Sequence, residues 1–277
     1  MKYRFTILIL AVMALAGCKK DNLASIPEGA ILLTAESHQG ADGTKTSVQD
    51  LSIQWVQGDQ VSLAGRPYDV VFNEQTAYVE NFARPASGDF FSYYPADLTA
   101  SETSVTAPSV YVSSYVGGRQ ILKQPLVAKD PYNTEHIEFL SVTSSVQVLI
   151  RNTTGYDLIV DRVEVSSEDK QLCGACSISF DNSYQLTVTP KTTGISVDEK
   201  TVTVVFEGDP LVVTSGGSPV EVQVPILPVA SGNLIVSVYT HHLPGSLPCS
   251  GYSFSRALPN PAIARNEMMT ARVLFNT

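Results

Sequence analysis

Apolar and polar residues alternate in Val220-Glu-Val-Gln-Val-Pro-Ile226 and again in Leu234-Ile-Val-Ser-Val-Tyr-Thr240. Successive side chains of a β-strand point to opposite faces, so a period of two predicts strands that each bury one face. Pro228 and Gly232 lie between the two runs, and both residue types favour turns. This stretch therefore predicts two short strands separated by a turn.

The same alternation recurs along the chain in runs of about five to eight residues. Further runs include Val146/Val148/Ile150, Val163/Val165 and Val202/Val204/Phe206. Turn-forming clusters such as Asn152-Thr-Thr-Gly155 and Ser215-Gly-Gly-Ser-Pro219 bound them. No stretch keeps the helical period of 3.6 residues for three turns. The pattern predicts an all-β fold of antiparallel β-sandwiches, in which each sheet buries one face.

The length of the chain favours two domains. It has 277 residues and a mass of 29.8 kDa, which is large for a single sandwich. A polar, turn-forming stretch runs from Lys129 to Thr134, and the alternation starts again at Ile137. We therefore predict an N-terminal β-sandwich over 30–135 and a C-terminal β-sandwich over 136–277.

Composition excludes two classes of protein. Hydrophobic residues make up 44% of the chain, which is too apolar for a disordered protein. The formal net charge is −9, so the chain lacks the basic surface that nucleic-acid binding requires.

The first residues have the pattern of an export signal. Lys2 and Arg4 precede a short apolar run, and Leu15-Ala-Gly-Cys18 follows it. The last four residues resemble the lipobox of bacterial lipoproteins, which implies cleavage before Cys18 and lipid attachment to that residue. The alternative is an ordinary secretory signal that happens to precede a cysteine. Loss of the signal peptide (1–17) removes two basic residues and no acidic one, so the formal charge becomes −11. Residues 18–29 are then predicted to form a lipidated tether at the outer membrane or cell surface.

No residue stands out as catalytic. The chain has no nucleophile elbow, no phosphate-binding glycine loop and no His-Glu-x-x-His motif. Four histidines are present, at His38, His136, His241 and His242, and we expect all four in solvated loops. In a strand, the adjacent pair would point to opposite faces and could not share one metal ion. The sequence therefore predicts no enzyme activity, no metal site and no cofactor.

Three cysteines besides Cys18 need an explanation. Cys173-Gly-Ala-Cys176 has the spacing of redox and metal sites, but it lies between runs of β pattern. Thiol activation at a helix N-terminus is therefore not expected. Cys173 and Cys176 are candidates for a structural disulfide, since the cell envelope permits one, or for free buried thiols. The pairing of Cys249 is left open.

A series of short motifs carries a family resemblance. In chain order they are Thr44-Lys-Thr46, Ile53-Gln-Trp55, Gly58-Asp59-Gln-Val-Ser-Leu63, Phe90-Phe-Ser-Tyr-Tyr-Pro95, Gln124-Pro-Leu-Val-Ala128, Ile137-Glu-Phe139, Val163-Glu-Val165 and Leu172-Cys-Gly174. After a lipobox, this order resembles the fimbrillin family of Bacteroidota, over about residues 30–277. The resemblance implies two tandem sandwiches of transthyretin-like, Greek-key topology in a surface lipoprotein. It also implies that fimbrial subunits associate by donor-strand exchange, as in type V-like pili.

The residues of these motifs also have structural explanations. Trp55 is the only tryptophan and is predicted to fill the core. Gly58-Asp59 is predicted to form a tight turn before the next strand. Phe91, Tyr93 and Tyr94 would place aromatic rings on both faces of a strand that Pro95 ends.

Two departures from the family pattern bear on the role. Family members of the shaft type are commonly cut after an arginine near the first strand, here expected at Ala30–Ala35. No arginine occurs between Cys18 and Arg66, and Lys45 stands at the expected position as a candidate processing site. The chain also stops at Thr277, directly after a run from Thr270 to Phe275 that looks like a domain's own last strand. These departures favour an accessory, tip or anchor component, or a stand-alone adhesin.

A carbohydrate-binding surface lipoprotein is the alternative. Tyr111, Tyr115 and Tyr252 could form a sugar-stacking platform if their rings were exposed, but packing in the core or at a strand edge is the favoured interpretation. Partners are otherwise expected to be the membrane, through Cys18, and other fimbrial subunits.

Overall fold

The computed structural model describes residues 26–36, 39–40, 55, 58–73, 76–116, 119–242, 252–259 and 261–276. The predicted all-β fold is confirmed, because strands account for nearly all regular structure in these ranges. The only helix among them is the 3₁₀ turn Val197–Lys200. None of the described helical structure is long or apolar enough to cross a bilayer. The strands are β1 Ile31–Ala35, β2 Gln39–Gly40, β3 Gln60–Leu63, β4 Arg66–Asp69, β5 Val71–Asn73, β6 Thr76–Val79, β7 Asp89–Tyr94, β8 Ala100–Ser101, β9 Ser104–Ala107, β10 Val110–Val116, β11 Arg119–Leu122, β12 Leu126–Pro131, β13 His136–Ser141, β14 Ser144–Asn152, β15 Leu158–Ser167, β16 Gly174–Phe180, β17 Leu186–Thr189, β18 Thr201–Phe206, β19 Leu211–Val213, β20 Val220–Ile226, β21 Leu234–His242, β22 Tyr252–Leu258 and β23 Glu267–Phe275.

The first sheet has eight strands in the order β4-β3-β7-β12-β13-β1-β6-β5. Alternate residues along these strands share one apolar core, so the sheet must curl over to bring its two halves together. This first core consists of Ile31, Leu33, Trp55, Val61, Leu63, Val70, Ala77, Val79, Phe82, Phe90, Tyr94, Leu126, Ala128, Ile137 and Phe139. This packing explains the recurrence of period two in the first half of the chain.

The second core lies between two sheets packed as a sandwich. One sheet has the order β11-β10-β18-β15-β21-β22, with β19 also paired to β15, and the other has the order β2-β23-β14-β20. The buried residues of Val146/Val148/Ile150, Val163/Val165 and Val222/Val224/Ile226 meet in this core, as their alternation predicts. The last strand β23 pairs in parallel with β14 through eight residues, from Met268 to Phe275.

A fourth sheet, of four strands, covers the back of the first one. Its order is β17-β16-β9-β8, and together with β7, β12 and β13 it encloses a separate apolar cluster, the third cluster. Strand β7 serves both clusters, because Phe90 and Tyr94 face the first core while Phe91 and Tyr93 face this one. The prediction that aromatic rings occupy both faces of this strand is therefore confirmed.

Strands cross the predicted domain boundary in both directions. The strand β10 lies before residue 135, yet it pairs in parallel with β18 in the second sandwich. The strand β16 lies after residue 136, yet it pairs with β9. The strand β13 begins at His136 and belongs to the first sheet, beside β1 and β12. The division into 30–135 and 136–277 stays a prediction, and hydrogen-bonded sheets join the two segments.

The aromatic and turn motifs occupy the places predicted for them. Trp55 is buried, and its ring meets those of Tyr94 and Phe139 edge-on at centroid distances of 5.1 and 5.6 Å. Gly58 has a φ of +93° and forms the turn that leads into β3. Backbone of this kind favours glycine, which explains the residue in that motif.

Candidate functional site

Several predicted site residues lie outside the described residues. These are the signal peptide, the lipidation residue Cys18, the tether up to residue 25, the candidate processing residue Lys45, His38 and Cys249. Their predicted roles stay predictions. The described residues begin at residue 26, just before the first strand.

The strand β1 occupies an interior position in the first sheet. It was expected at Ala30–Ala35 and is found at Ile31–Ala35. It pairs in parallel with β13 on one side and antiparallel with β6 on the other. Ile31 and Leu33 are buried in the first core, with exposed fractions of 0% and 3%. The tether therefore continues into a strand whose backbone is bonded on both edges.

A charged cluster fastens the end of β1 to the far end of the chain. The guanidinium group of Arg265 donates to both carboxylate oxygens of Glu36, with a distance of 3.2 Å from Nη2 to Oε1. Arg265 Nη1 also donates to the carbonyl oxygen of Ser141 at 3.2 Å, and the Ser141 N–H donates to Glu36 Oε2 at 3.2 Å. A bidentate, partly buried pair of this kind is stronger than a surface ion pair. It joins β1, β13 and the segment before β23.

The outer edge of β20 is covered by side chains. The carboxamide of Gln120 accepts from the N–H of Gln223 at 2.7 Å and donates to its carbonyl oxygen at 3.2 Å. The Tyr115 hydroxyl donates to the carbonyl oxygen of Glu221. An exposed strand edge can pair with other chains, and such capping closes it.

Tyr111 and Tyr115 differ in whether their hydroxyls have a hydrogen-bond partner among the described residues. We therefore expect replacement by phenylalanine to change the stability in opposite directions at the two positions. The Tyr111 ring is buried, and its hydroxyl has no hydrogen-bond partner among the described residues. We expect Tyr111→Phe to stabilise the protein by about 1 kcal/mol, because a buried hydroxyl without a partner costs desolvation energy. Tyr115→Phe should destabilise it by about 1 kcal/mol, because the carbonyl of Glu221 loses a donor. Urea unfolding measures both changes, and a loss of stability in Tyr111→Phe would contradict the first.

The two tyrosines also bear on the sugar-platform alternative. Tyr111 is only 3% exposed, so it packs in the core, as the favoured interpretation predicts, and cannot form part of an exposed platform. Tyr115 packs against the second core, and the side chain of Tyr252 lies outside the described residues. The alternation that buries Tyr111 exposes its neighbours Val110 and Val112 instead.

Both cysteines of the CxxC motif are free and buried in the structure. Cys173 belongs to the second core, and its thiol donates to the carbonyl oxygens of Asp198 and Thr201 at 3.2 and 3.4 Å. The thiol of Cys176 donates to the carbonyl oxygen of Val105 from the third cluster. The candidate disulfide is therefore not formed, because the two thiols lie in different clusters. Burial raises the pKa of each thiol to about 11, which keeps both groups protonated and unreactive.

The three described histidines lie in strands rather than loops. His136 is exposed, and its Nε2 lies 2.7 Å from the hydroxyl of Thr34. His241 and His242 point to opposite faces, as expected for adjacent strand residues. His241 pairs with Asp161 at 2.6 Å, whereas His242 is buried against the ring of Tyr156. The expectation of a solvated loop is wrong for His242, because β21 extends through it. No group of three or more His, Cys, Asp or Glu side chains among the described residues could hold a metal ion.

The carboxyl group of Asp130, in β12 of the first sheet, has a raised pKa. Burial, together with the nearby carboxylates of Glu138 and Asp89, raises the pKa of Asp130 to about 6, from an ordinary value of 3.8. The folded protein holds this proton more tightly than the unfolded chain does. Asp130 therefore costs no stability below about pH 3.8, and its cost rises until it is complete above about pH 6.

We expect Asp130→Asn to raise the melting temperature at pH 8 and to leave it nearly unchanged at pH 3.5. The amide removes the buried charge, which exists only at the higher pH. Thermal unfolding at the two pH values measures the effect, with Asp209→Asn at an exposed turn as the control. An equal gain at both pH values would contradict the explanation.

An open cleft lies where the first sheet meets the second sandwich. Its volume is about 590 Å³, and Val110, Val112, Leu98 and Ile121 line it together with Pro95 and Pro108. The charged residues Asp97, Lys123 and Glu207 also line it. The cleft has no sequence signature, since its residues come from separate turns and strands.

Solved structures similar to this chain come from Bacteroides species. A proposed cell adhesion protein of Bacteroides fragilis NCTC 9343 has 10% sequence identity and a TM-score of 0.49, over 88% of this chain and 92% of its own. One of Bacteroides ovatus ATCC 8483 has 11% identity and a TM-score of 0.45, over 89% and 92%. A fimbrial protein of Bacteroides vulgatus ATCC 8482 has 10% identity and a TM-score of 0.35, over 88% and 95%. No family model and no curated protein matches the chain. The chain is thus similar, at low identity, to solved cell adhesion and fimbrial proteins.

Proposed function

We propose that this chain is a fimbrillin-like surface lipoprotein, which serves as an accessory, tip or anchor component of fimbriae or as a stand-alone adhesin. It acts through strand addition and surface contacts, without catalysis. The observation that carries the proposal is the position of β1, an interior strand that follows the predicted tether directly. A tether that continues into such a strand links a folded exterior body to the membrane.

In this role the tether passes mechanical load between the membrane and the strand β1. A tether over 18–29 has twelve residues and reaches at most about 40 Å when fully extended. A pull on the body loads the backbone hydrogen bonds of β1 to β13 and β6 together with the Glu36–Arg265 ion pair. An adhesin or anchor needs a junction of this strength between its body and its lipid.

Strand addition follows from the same element. If β1 were withdrawn, a gap would open between β13 and β6, and the pockets of Ile31 and Leu33 would be empty. A strand from another subunit could fill that gap, with backbone hydrogen bonds for affinity and alternate side chains in the pockets. Cleavage at Lys45 would be the step that frees β1, whereas the Glu36–Arg265 ion pair favours retention of β1 in the sheet.

The proposal is tested in cells that produce the full chain. We expect radiolabelled palmitate on the wild-type protein and none on Cys18→Ala, which should leave the outer-membrane fraction. Immunogold electron microscopy should place the protein at the cell surface, at fimbrial bases or at tips. Label spaced regularly along fimbrial shafts would contradict the accessory role, and an unlipidated wild-type protein would contradict the anchor.

A further inference from the structure

Within the part of the chain that the structure describes, one edge of β10 is only partly covered by another strand. The N–H of Thr203 donates to the carbonyl oxygen of Ser109, and the N–H of Glu207 donates to that of Ser113. Odd-numbered residues of β10 thus bond to β18, and the N–H and C=O groups of Val110 and Val112 point to the opposite edge. On that edge β11 pairs only with Ser113–Val116. Among the described residues, Ser113–Leu122 is the last pair between β10 and β11, and no strand pairs with Val110 or Val112 on that side.

The open edge faces the cleft. If the register of β11 continued, Lys123 would lie opposite Val112, but the chain turns away there to form β12. Val110 and Val112 remain 54% and 49% exposed. Natural edge strands are usually shortened, charged or covered, as β20 is by Gln120 and Tyr115. Exposed valines at an edge that no described strand covers therefore leave this edge available for strand addition.

The charges of the cleft limit what can bind. The ammonium group of Lys123 lies 3.3 Å from the buried carboxylate of Asp59, which offsets its charge. Asp97 and Glu207 then give the cleft a negative character, and both are exposed. A segment with a basic residue next to its apolar positions would complement this charge.

We propose that this edge binds an extended segment of another polypeptide, which continues β11 along Val110–Val112, with apolar residues at alternate positions and a basic residue facing Asp97 and Glu207. Backbone hydrogen bonds would provide affinity, and the cleft would select the side chains. This surface is distinct from β1, so it holds whether or not the proposed anchoring role is correct.

A synthetic peptide, acetyl-Lys-Thr-Val-Thr-Val-Thr-Lys-amide with a fluorescent label, is the probe. We expect saturable binding by fluorescence anisotropy, and Val112→Lys should weaken it about tenfold or more, because a lysine at the edge blocks strand addition. The control Val197→Lys changes a valine that is 82% exposed on the distant 3₁₀ turn and should leave binding unchanged. Asp97→Asn with Glu207→Gln should weaken binding at low salt.

N-methylated peptides test the strand geometry on the unaltered protein. Methylation of alternate amides removes the N–H groups on one edge of the bound segment. Methylation of one set of alternate amides should abolish binding, and methylation of the other set should leave binding intact, because only one edge of the bound peptide faces β10. Equal binding by both forms, no binding of the parent peptide, or full binding to Val112→Lys would overturn the proposal. A wild-type dimer in sedimentation that Val112→Lys dissolves would also overturn it, by making the edge a self-association surface.

Discussion

Gly174→Ala is expected to destabilise the protein by about 3 kcal/mol, which combines backbone strain with overpacking. Gly174 has a φ of +84°, a conformation that residues with a Cβ atom rarely adopt. A Cβ atom there would also lie 2.8 Å from Oε1 and 2.9 Å from Cγ of Glu199. Urea unfolding of the full chain measures the loss.

Glu199 cannot easily move aside. Its carboxylate binds the ammonium group of Lys191 and accepts from Gln171 Nε2 at 3.2 Å. The other oxygen accepts from the N–H and hydroxyl of Ser196 at 3.0 and 3.1 Å. Any shift of the side chain therefore breaks several hydrogen bonds at the start of the 3₁₀ turn. The glycine of Leu172-Cys-Gly174 is thus explained by its backbone conformation together with this contact.

Gly208→Ala is the matched control. Its φ of +83° equals that of Gly174 within a degree, but a Cβ atom would meet nothing within 4 Å. We expect only the backbone cost, about 1 kcal/mol. The difference between the two variants isolates the contact with Glu199, and equal losses would show that this contact does not matter.

Phe139→Ala is expected to cost about 3–5 kcal/mol, the usual range for a buried phenylalanine. The Phe139 side chain is fully buried in the first core, and its ring contacts Trp55 edge-on. Truncation leaves a cavity that the sheet cannot easily close, because β13, which carries Phe139, is paired with β12 on one side and with β1 on the other. The control is Phe72→Ala at an exposed position, 39% accessible in β5, which should cost well under half as much.

The measurement for this pair is again urea unfolding, followed by tryptophan fluorescence. Trp55 is the only tryptophan and lies beside Phe139, so its emission reports directly on the first core. A loss in Phe139→Ala no larger than that in Phe72→Ala would contradict the assignment of Phe139 to a rigid core.

Side-chain alternation was sufficient to predict the all-β class and most buried positions. Val146, Val163 and Val222 are buried as their spacing predicts, since the two faces of a strand are encoded within a few residues. Prediction from this alternation fails where the burial of a residue depends on how far its strand extends along a neighbouring strand. His242 looks like a loop residue by type, yet β21 extends through it and buries its side chain.

The candidate sites depended even more on long-range pairing. Glu36 and Arg265 are 229 positions apart, and no local pattern connects them. The cleft at Val110–Val112 exists because β11 stops at Leu122 and the chain leaves for the first sheet. The amino-acid pattern alone was enough to predict the strand class, the buried faces and the lipid anchor, and to show that no recognisable catalytic motif is present. The structure was needed to show which strands pair, in which clusters the two thiols lie and which part of the β10 edge no described strand covers. The sequence pattern does not reveal these features, because strand pairing depends on backbone groups that nearly all residues share.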